Sequence, residues 1–283
     1  MKIGLVLEGG ALRGLFTAGV LDFLLEQNIS FDYIAGVSAG AGNMMNFISG
    51  QKGRTKNVIS PGKENNYYGL KQLIKTGNYL NLDKMVFEFS KATFPYDCEA
   101  HHNSTVEHEI VVVNCETARA EYINGADEDD EHTLAAVKAS CSVPILSIPV
   151  EIDGHAYMDG SLVDSIPYNR AFEKGCDKVV IVMTKTGDAG PTDYSKFKPF
   201  IMAAYGKKYP KFAAALLERA GVYQVQKDEM NRLAEEGKIM VIRPSIPCIS
   251  KFETRYEKRD EFYQHGYNRM KEEFDALKAF MEA

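Results

Sequence analysis

The chain has 283 residues, of which 45% are hydrophobic and 25% are charged, and its formal net charge at pH 7 is −6. These values exclude collagen-like, low-complexity and disordered chains, and the length permits one large α/β domain or two small ones. The acidic balance argues against a dedicated nucleic-acid binder, because neutralising phosphates requires a basic face. Five cysteines without a CxxC pair favour free thiols in a reducing compartment.

The start of the chain has a lysine followed by many apolar residues, as an export signal does. Glu8 and Arg13 interrupt this stretch, and the apolar run before Glu8 is shorter than the hydrophobic region of a secretory signal. No other stretch reaches about 18 uncharged apolar residues, so no membrane-spanning helix is predicted. We therefore expect a cytoplasmic protein.

The first part of the chain alternates short apolar runs with glycine-rich turns. The run Ile3–Leu7 predicts a strand that is joined through a glycine turn to a helix. A second strand is predicted over 31–35, and the turn 36–40 joins it to a helix that includes 44–48. Residues 51–108, rich in Asn, Lys and Tyr, are expected to form helices and loops that cover a sheet.

The later elements continue this alternation. The run EIVVVNC over 109–115 is the strongest candidate for a buried strand, and 121–124 is expected to pair with it. The other predicted elements are a helix over 134–139, a hairpin over 148–158 with an Asp-Gly turn, a helix over 169–174, strands over 178–183 and 239–242, and a charged helix over 251–283. This order predicts a mostly parallel sheet covered on both faces, with residues 1–185 as the core and a helical part, 186–283, packed on it.

The pentapeptide Gly36-Val37-Ser38-Ala39-Gly40 matches the pattern GxSxG between a predicted strand and a predicted helix. A nucleophilic serine on such a sharp turn needs small neighbours, so that the strained backbone can form and the hydroxyl stays accessible. The amides at the start of the helix would also point at the reacting atoms. The alternative is an ordinary strand-to-helix turn with a capping serine.

The segment Glu8-Gly9-Gly10-Ala11-Leu12-Arg13-Gly14 is a second turn of small residues. Its free backbone N–H groups could form an oxyanion hole or a phosphate cradle. As a dinucleotide fingerprint it fails at Ala11, where GxGxxG requires glycine, and it lacks the Lys-Ser/Thr of a P-loop. The alternative is a plain turn between the first strand and the first helix.

Asp159-Gly160 follows the predicted hairpin strand. An aspartate there is ordinarily a turn or capping residue. Its functional interpretation is a general base for Ser38, which requires a dry site that raises the basicity of the carboxylate.

Taken together, the segments EGGALRG, GVSAG and MDGS, in this order, resemble the patatin-like phospholipases, a family of acyl hydrolases with a Ser-Asp dyad. The resemblance covers residues 1–185 and, more loosely, 243–267. It implies a three-layer α/β/α fold and a carboxylic ester hydrolase of the phospholipase or lysophospholipase type. The implied partners are a lipid or other acyl-ester substrate and a peripheral membrane surface, with neither a metal nor an organic cofactor.

The resemblance also implies the roles of individual residues. Ser38 would be the nucleophile and Asp159 its base. The oxyanion-hole motif would comprise Gly9, Gly10, Ala11, Arg13, Gly14 and Ala39, with Gly36, Gly40 and Gly160 as further motif positions. The family often has glycine at the position of Ala11, so alanine is tolerable there unless its φ must be positive.

Other site chemistries were compared with the dyad. With Asp159 as the acid, a triad in the order Ser, Asp, His leaves only His265, because His155 precedes the aspartate. His101, His102 and His108 lack a zinc-ligand pattern, and the acidic run 127–131 lacks calcium-loop spacing. The rival function is a nucleotide- or phosphate-binding regulatory module that uses the turn 9–14 without hydrolysis.

A lysine-rich aromatic stretch lies beyond the predicted core. Its aromatic residues are Phe197, Phe200, Tyr205, Tyr209 and Phe212, interleaved with five lysines. This composition suits the anionic headgroups of a lipid surface. The alternative is a set of core aromatics beneath a solvated lysine face.

Overall fold

Eight strands form one sheet in the computed structural model, which describes residues 1–69, 72–74, 78–126 and 129–283. The strands are β1 Ile3–Leu7, β2 Tyr33–Val37, β3 Glu107–Asn114, β4 Ala120–Asn124, β5 Val150–Ile152, β6 His155–Asp159, β7 Lys178–Val182 and β8 Ile239–Ile242. Their order is β5-β6-β3-β2-β1-β7-β8, and β4 also pairs with β3. The neighbours from β3 to β8 are parallel, whereas β4, β5 and β6 form antiparallel pairs. The prediction of a mostly parallel sheet is confirmed.

Helices cover both faces of this sheet. They are α1 Gly14–Glu26, α2 Ala39–Ile48, α3 Arg54–Ile59, α4 Cys98–His102, α5 Asp130–Ser140, α6 Tyr168–Glu173, α7 Lys198–Tyr205, α8 Pro210–Glu235, α9 Tyr256–Glu272 and α10 Phe274–Glu282. Between α3 and α4 lies a helix with π-type hydrogen bonding, Lys84–Thr93, which we call the π-helix. The helices and loops expected over 51–108 are therefore present.

Successive residues of β1 face opposite sides of the sheet, as strand geometry requires. Leu5 and Leu7 join an apolar core that includes residues of α1 and α2. Val6 packs into a second core with Tyr168 of α6 and Tyr223 of α8. A strand buried on both faces has no polar side, which explains the unbroken apolar run. The three-layer α/β/α fold is confirmed.

Strand β2 lies two residues later than the predicted 31–35. Its parallel register with β1 pairs Gly4 with Tyr33 and Leu7 with Gly36. The Asp32 carboxylate, just before the strand, accepts a hydrogen bond from the Ile3 N–H at 2.7 Å. A short apolar run does not define its own ends, so strand pairing sets them. The shift makes β2 end directly before Ser38.

The chain beyond residue 185 contributes to the sheet and to both covering layers. Strand β8 extends the sheet beside β7, α8 covers one face and α9 the other. The boundary at residue 185 stays a prediction. The prediction of a single charged helix over 251–283 is wrong, because the chain turns at Glu273 between α9 and α10. This turn brings Phe274 edge-on against Phe23 of α1, with ring centroids 5.3 Å apart.

Helices α1 and α9 cross at a pair of glycines. A Cβ atom at Gly19 would lie 2.1 Å from the Tyr263 carbonyl oxygen, and one at Gly266 would lie 2.0 Å from the Phe16 carbonyl oxygen. The backbones therefore approach more closely than any side chain would allow. This contact holds α9 against the helix that follows the glycine turn.

Candidate active site

Ser38 occupies a sharp turn between β2 and α2. Its φ of 54° and ψ of −124° are strained for a residue with a side chain. The turn packs so tightly that a Cβ atom at Gly40 would lie 2.2 Å from the Leu7 carbonyl oxygen, and one at Gly36 would lie 2.7 Å from the Ala41 Cα. The two glycines of the GxSxG motif are thus required by close backbone approach.

Ser140 of α5 holds this turn from the neighbouring layer. The Ser38 N–H donates a hydrogen bond of 2.8 Å to the Ser140 Oγ, whose own hydroxyl donates to the Val111 carbonyl oxygen at 2.7 Å. Ser140 therefore links the strained turn to β3. The role of Ser140 was not predictable from the sequence, because nothing in the residues around Ser140 relates it to a turn about a hundred residues earlier.

Asp159 ends β6, where it is paired with Val112 of β3. Its carboxylate is buried, accepts a hydrogen bond of 2.9 Å from the Ser161 N–H, and lines the same pocket as Ser38. Burial raises the pKa of Asp159, although Ser161, the Ser38 side chain and the charge of Arg219 lower it in part. The fold thus brings the two predicted dyad residues into one pocket, in a site where the carboxylate is more basic than in water.

The glycine turn after β1 lies against Ser38. A Cβ atom at Gly9 would lie 2.7 Å from the Ser38 Cβ, so the turn can approach the serine only without a side chain there. In the described part of the chain, the amide N–H groups of Gly9, Gly10, Ala11 and Ala39 donate to no protein acceptor. These four predicted residues therefore offer free donors beside Ser38.

The other predicted oxyanion-hole residues, Arg13 and Gly14, have amides that are already engaged. The Arg13 N–H donates to the Gly10 carbonyl oxygen at 3.1 Å, and the Gly14 N–H donates to the carbonyl oxygens of Ala11 and Leu12. The Arg13 guanidinium donates to the Ile249 carbonyl oxygen at 2.8 Å and so anchors a C-terminal loop.

Gly14 and Gly160 serve close packing around the dyad. A Cβ atom at Gly14 would lie 2.9 Å from the Ala39 Cβ, and one at Gly160 would lie 2.5 Å from the Val111 carbonyl oxygen. Both motif glycines therefore let neighbouring segments approach Ser38 and Asp159 closely.

Ala11 has a φ of 51°, in the left-handed region that favours glycine. Positive φ is the one condition under which the sequence analysis expected alanine to be unfavourable here. The cost of this conformation for a residue with a Cβ is about 1 kcal/mol. Two neighbouring turns therefore each hold a residue with a side chain at positive φ, Ala11 in the glycine turn and Ser38 in the turn after β2.

Two cavities meet at Ser38. The first, which we call the apolar chamber, has a volume of about 110 Å³ and is lined mainly by α2, α3, the π-helix and α5. The second, which we call the cation-lined pocket, has a volume of about 200 Å³; its polar lining includes Glu8, Ser38, Asp159, Lys185, Arg219 and Lys251. Lys251, Phe252, Val143 and Leu80 line both cavities. Ser38 thus lies between an apolar and a charged compartment.

Glu8 is buried in the cation-lined pocket, where its carboxylate is fully engaged. One oxygen accepts from the Thr184 N–H at 2.7 Å and the Thr184 hydroxyl at 2.9 Å, and the other accepts from the Tyr223 hydroxyl at 2.8 Å. The roles of Glu8 and of the three cations Lys185, Arg219 and Lys251 were not predicted from the sequence. For the three cations the only available signal was positive charge, and positively charged residues are common on protein surfaces.

The histidines considered in the sequence analysis lie elsewhere. The His265 Nε2 accepts a hydrogen bond from the Ser245 N–H at 3.0 Å, and His265 lines neither cavity. His101 and His108 contact each other, Nε2 to Nε2, at 2.9 Å. His155 is exposed at the start of β6. Among the residues that the structure describes, no histidine lines either cavity beside the predicted dyad.

Within the acidic run 127–131, Asp127 and Glu128 lie outside the described residues. The Asp129 carboxylate accepts hydrogen bonds from the N–H groups of Glu131 and His132 at the start of α5. This part of the run therefore caps a helix N-terminus.

Comparison with known families was consistent with this site. A family model described as patatin-like phospholipase matches residues 5–172, which include Ser38, Asp159 and the glycine turn. The chain belongs to the patatin-like phospholipase family. A second family model, a domain of unknown function (DUF6363), matches residues 209–282, from α8 to α10. Family membership confirms the resemblance.

Two curated relatives illustrate the similarity. The uncharacterized protein YjjU of Escherichia coli K12 is 29% identical over 196 residues, covering 65% of this chain and 52% of YjjU. Lysophospholipase NTE1 of Coccidioides immitis is 25% identical over 295 residues, covering 98% of this chain and 18% of NTE1. The chain therefore spans about half of the first relative and less than a fifth of the second.

A solved structure supports the fold assignment. VipD from Legionella pneumophila aligns with a TM-score of 0.50 and 16% identity, covering 97% of this chain and 67% of the VipD chain. At this identity the likeness concerns the fold alone. Among the residues that the structure describes, no helix is both long and apolar enough to cross a bilayer.

Proposed function

We propose that this protein is a serine acyl hydrolase of the phospholipase or lysophospholipase type, with Ser38 as the nucleophile and Asp159 as its general base. The observation that carries the proposal is the position of both side chains in the lining of one pocket, where each residue is buried and the Ser38 side chain lowers the pKa of Asp159 in part. The strained turn that holds Ser38 beside free amide donors supports the same assignment. The family match gives the reaction class.

The proposed reaction uses a covalent intermediate. Asp159 accepts the Ser38 hydroxyl proton while the Ser38 oxygen attacks the ester carbonyl carbon. The amides of Gly9, Gly10, Ala11 and Ala39 stabilise the negative charge that develops on the carbonyl oxygen. The alcohol leaves with the proton returned from Asp159. Water, activated by the same carboxylate, then attacks the acyl-serine and releases the carboxylic acid.

The environment of Asp159 suits this role. An ordinary carboxylate is a weak base, because water stabilises its charged form. Burial removes that stabilisation and raises the pKa of Asp159, so the carboxylate accepts a proton more readily. No residue other than Asp159 is required to carry the proton from serine to leaving group.

A fluorophosphonate probe tests the nucleophile. The wild-type chain should be labelled covalently, Ser38→Ala should not be labelled, and the exposed control Ser195→Ala should be labelled like the wild type. Equal labelling of wild type and Ser38→Ala would show that Ser38 is not the nucleophile.

The regulatory alternative makes a different prediction. A nucleotide that binds the turn 9–14 at about a hundred times its dissociation constant should stabilise the fold by about 2.7 kcal/mol. A thermal-shift screen that finds such a nucleotide in a chain whose Ser38 does not react would favour the regulatory module. Hydrolysis of short-chain esters, lysophospholipids or phospholipids, lost in Ser38→Ala, would favour the acyl hydrolase.

We also propose peripheral contact with a lipid surface through α7. Of the five aromatic residues in the lysine-rich stretch, Tyr205, Tyr209 and Phe212 are buried, which fits the core alternative. Phe197 and Phe200 are 48% and 67% exposed, beside exposed lysines. We expect Phe200→Ser to reduce co-sedimentation with anionic vesicles, and Val225→Ser, at an equally exposed site on α8, to leave it unchanged.

The proposed compartment is the cytoplasm, to be tested by cell fractionation.

A further inference from the structure

Lys185 follows β7 and is the most unusual charged residue beside the dyad. It is 5% exposed, and its ammonium nitrogen has no hydrogen-bond partner in the described part of the chain. It lies 3.8 Å from a Glu8 carboxylate oxygen that also accepts from Tyr223, and 3.9 Å from the centre of the Tyr223 ring. These contacts offset part of the cost of burying the charge, but the N–H donors of the ammonium lack an acceptor in the described part of the chain and are available to an anion in the pocket.

Two further cations line the same pocket. The Arg219 guanidinium donates to the carbonyl oxygen of Ser161 at 2.9 Å and to the Ser165 hydroxyl at 3.3 Å. The Lys251 ammonium donates to the Thr192 hydroxyl at 3.3 Å. Among the described residues, neither cation has a carboxylate within 4.0 Å. Both cations are therefore positioned by neutral acceptors, so no carboxylate in contact with them neutralises their charge, and this charge can attract an anion in the pocket.

The cations of the pocket repel one another. Burial and the neighbouring charges of Arg219, Lys185 and Arg13 lower the pKa of Lys251 to about 8. Burial also lowers the pKa of Lys185, and Arg219 and Arg13 contribute to that shift. The lining carboxylates, Glu8 and Asp159, do not balance three cations. The excess of positive charge in the lining becomes larger when Asp159 accepts the Ser38 proton, because Asp159 then no longer contributes a negative charge.

The opposite cavity has a different character. The apolar chamber is lined mainly by aliphatic and aromatic side chains, and it meets the cation-lined pocket at Ser38. An ester whose carbonyl lies at Ser38 can therefore extend its acyl chain into the chamber and its alcohol into the pocket. Lys185 carries three donors on a flexible stem, which can turn toward an anion in that pocket.

We propose that Lys185, Arg219 and Lys251 bind the phosphate of the leaving alcohol and are the residues that set a preference for monoacyl esters whose alcohol carries a phosphate over neutral ones. This inference rests on the proposed hydrolase function and adds the residues that recognise the leaving group. Lys185 is its main specificity-determining residue, because its ammonium lacks an acceptor within the described part of the protein.

A matched pair of substrates tests the proposal: 1-decanoylglycerol 3-phosphate and 1-decanoylglycerol, which share one acyl chain. We expect wild-type kcat/KM to favour the phosphate ester by about tenfold or more. Lys185→Met and Lys251→Met should each reduce that ratio by about tenfold, mainly through a higher KM for the phosphate ester. The control Lys271→Met, at an exposed site on α9 that lines neither cavity, should keep the wild-type ratio. A wild type without preference, or an unchanged ratio in Lys185→Met, would overturn the phosphate subsite.

A binding measurement separates this proposal from the hydrolase assignment. In Ser38→Ala, calorimetry should show that 1-decanoylglycerol 3-phosphate binds about tenfold or more tightly than inorganic phosphate, and that adding Lys185→Met weakens both. If inorganic phosphate binds as tightly as the lipid, the pocket takes free phosphate and the leaving-group assignment is wrong. If neither binds, the subsite is wrong whether or not esters are hydrolysed. Circular dichroism checks folding, and Lys251→Met repeats the test from another segment.

Discussion

The apolar chamber and the cation-lined pocket share one serine but differ in the physics by which each would recognise a substrate under our proposals. The chamber is built mainly from α2, α3, the π-helix and α5, whereas the three cations of the pocket lie at or beyond residue 185. Burial of an acyl chain is non-directional and contributes about 0.8 kcal/mol per methylene, so the chamber distinguishes chains mainly by length. Charged hydrogen bonds are directional, so the pocket distinguishes chemical groups.

This contrast suggests a division of labour within the chain. The segment that matches the patatin-like family model holds the dyad, the glycine turn and most of the chamber. The later segment delivers Arg219 from α8 and Lys251 from the loop before α9. A change in chemistry should therefore follow from mutations in the first segment, and a change in leaving-group preference from mutations in the second.

The largest expected effect abolishes the distinction between the cavities. Asp159→Asn keeps the size of the side chain but removes the base, so hydrolysis of phosphate-bearing and neutral esters should fall equally, by about a thousandfold or more. Steady-state kinetics on both esters measures the effect. Substantial activity in this variant would show that a residue other than Asp159 is the general base.

A second mutation should affect the apolar chamber alone. Gly42 lies on α2, one turn after Ser38, and a Cβ atom there would meet no neighbour within 4 Å. Gly42→Leu should therefore fill the chamber without a clash, reducing kcat/KM for long-chain esters by about tenfold while sparing butyrate esters.

Gly221→Leu is the matched control for this experiment. Gly221 lies within α8, is exposed, and would likewise have no neighbour within 4 Å of an added Cβ atom, so leucine gives a comparable gain in helix propensity of about 1 kcal/mol. Its chain-length profile should equal that of the wild type. Equal profiles for Gly42→Leu and Gly221→Leu would show that acyl chains do not enter the chamber.

A smaller effect separates the two cavities by their response to pH. Lys251, with a pKa of about 8, faces Arg219, Lys185, Arg13 and Asp159. As pH rises through 8, the ammonium loses its proton, so the preference for the phosphate ester over the neutral ester should decline severalfold by about pH 9. Lys251→Met should show a flatter pH profile of this ratio. Chain-length selectivity should change less over the same range, because the chamber, which Lys251 also lines, relies mainly on apolar contact.

The smallest predicted effect concerns stability. Burial raises the pKa of Asp159 above 3.8, so the ionised carboxylate favours the unfolded chain at neutral pH. This penalty is complete above the folded-state pKa and disappears as pH falls below 3.8, where both states are protonated. Asp159→Asn should therefore raise Tm at pH 7 by about a few degrees, with less gain in acid. A lower Tm at pH 7 would mean that the carboxylate stabilises the fold.

Much of the fold was predictable because its central strands are buried on both faces. Ile3–Leu7 and 110–113 are unbroken apolar runs, and hairpin strands flank an Asp-Gly turn, so the existence of these strands follows from the sequence pattern. The ends of β2 were not predictable, because strand pairing sets them. Nor was the turn at Glu273, where Phe274 packs against Phe23 of a helix far away in the sequence.

The sequence by itself determined the local chemistry: glycines that permit a sharp turn at Ser38, small residues after β1, and an aspartate at the end of a hairpin strand. These signals are local because steric limits on φ, ψ and side-chain size act on neighbouring residues. Only the tertiary structure decided which distant groups meet. It placed Asp159 in the same pocket as Ser38 and Ser140 within hydrogen-bond distance of the Ser38 N–H. It also placed Lys185, Arg219 and Lys251 in the lining of that pocket. The reason is physical, since desolvation and charge depend on proximity in space and not on separation along the chain.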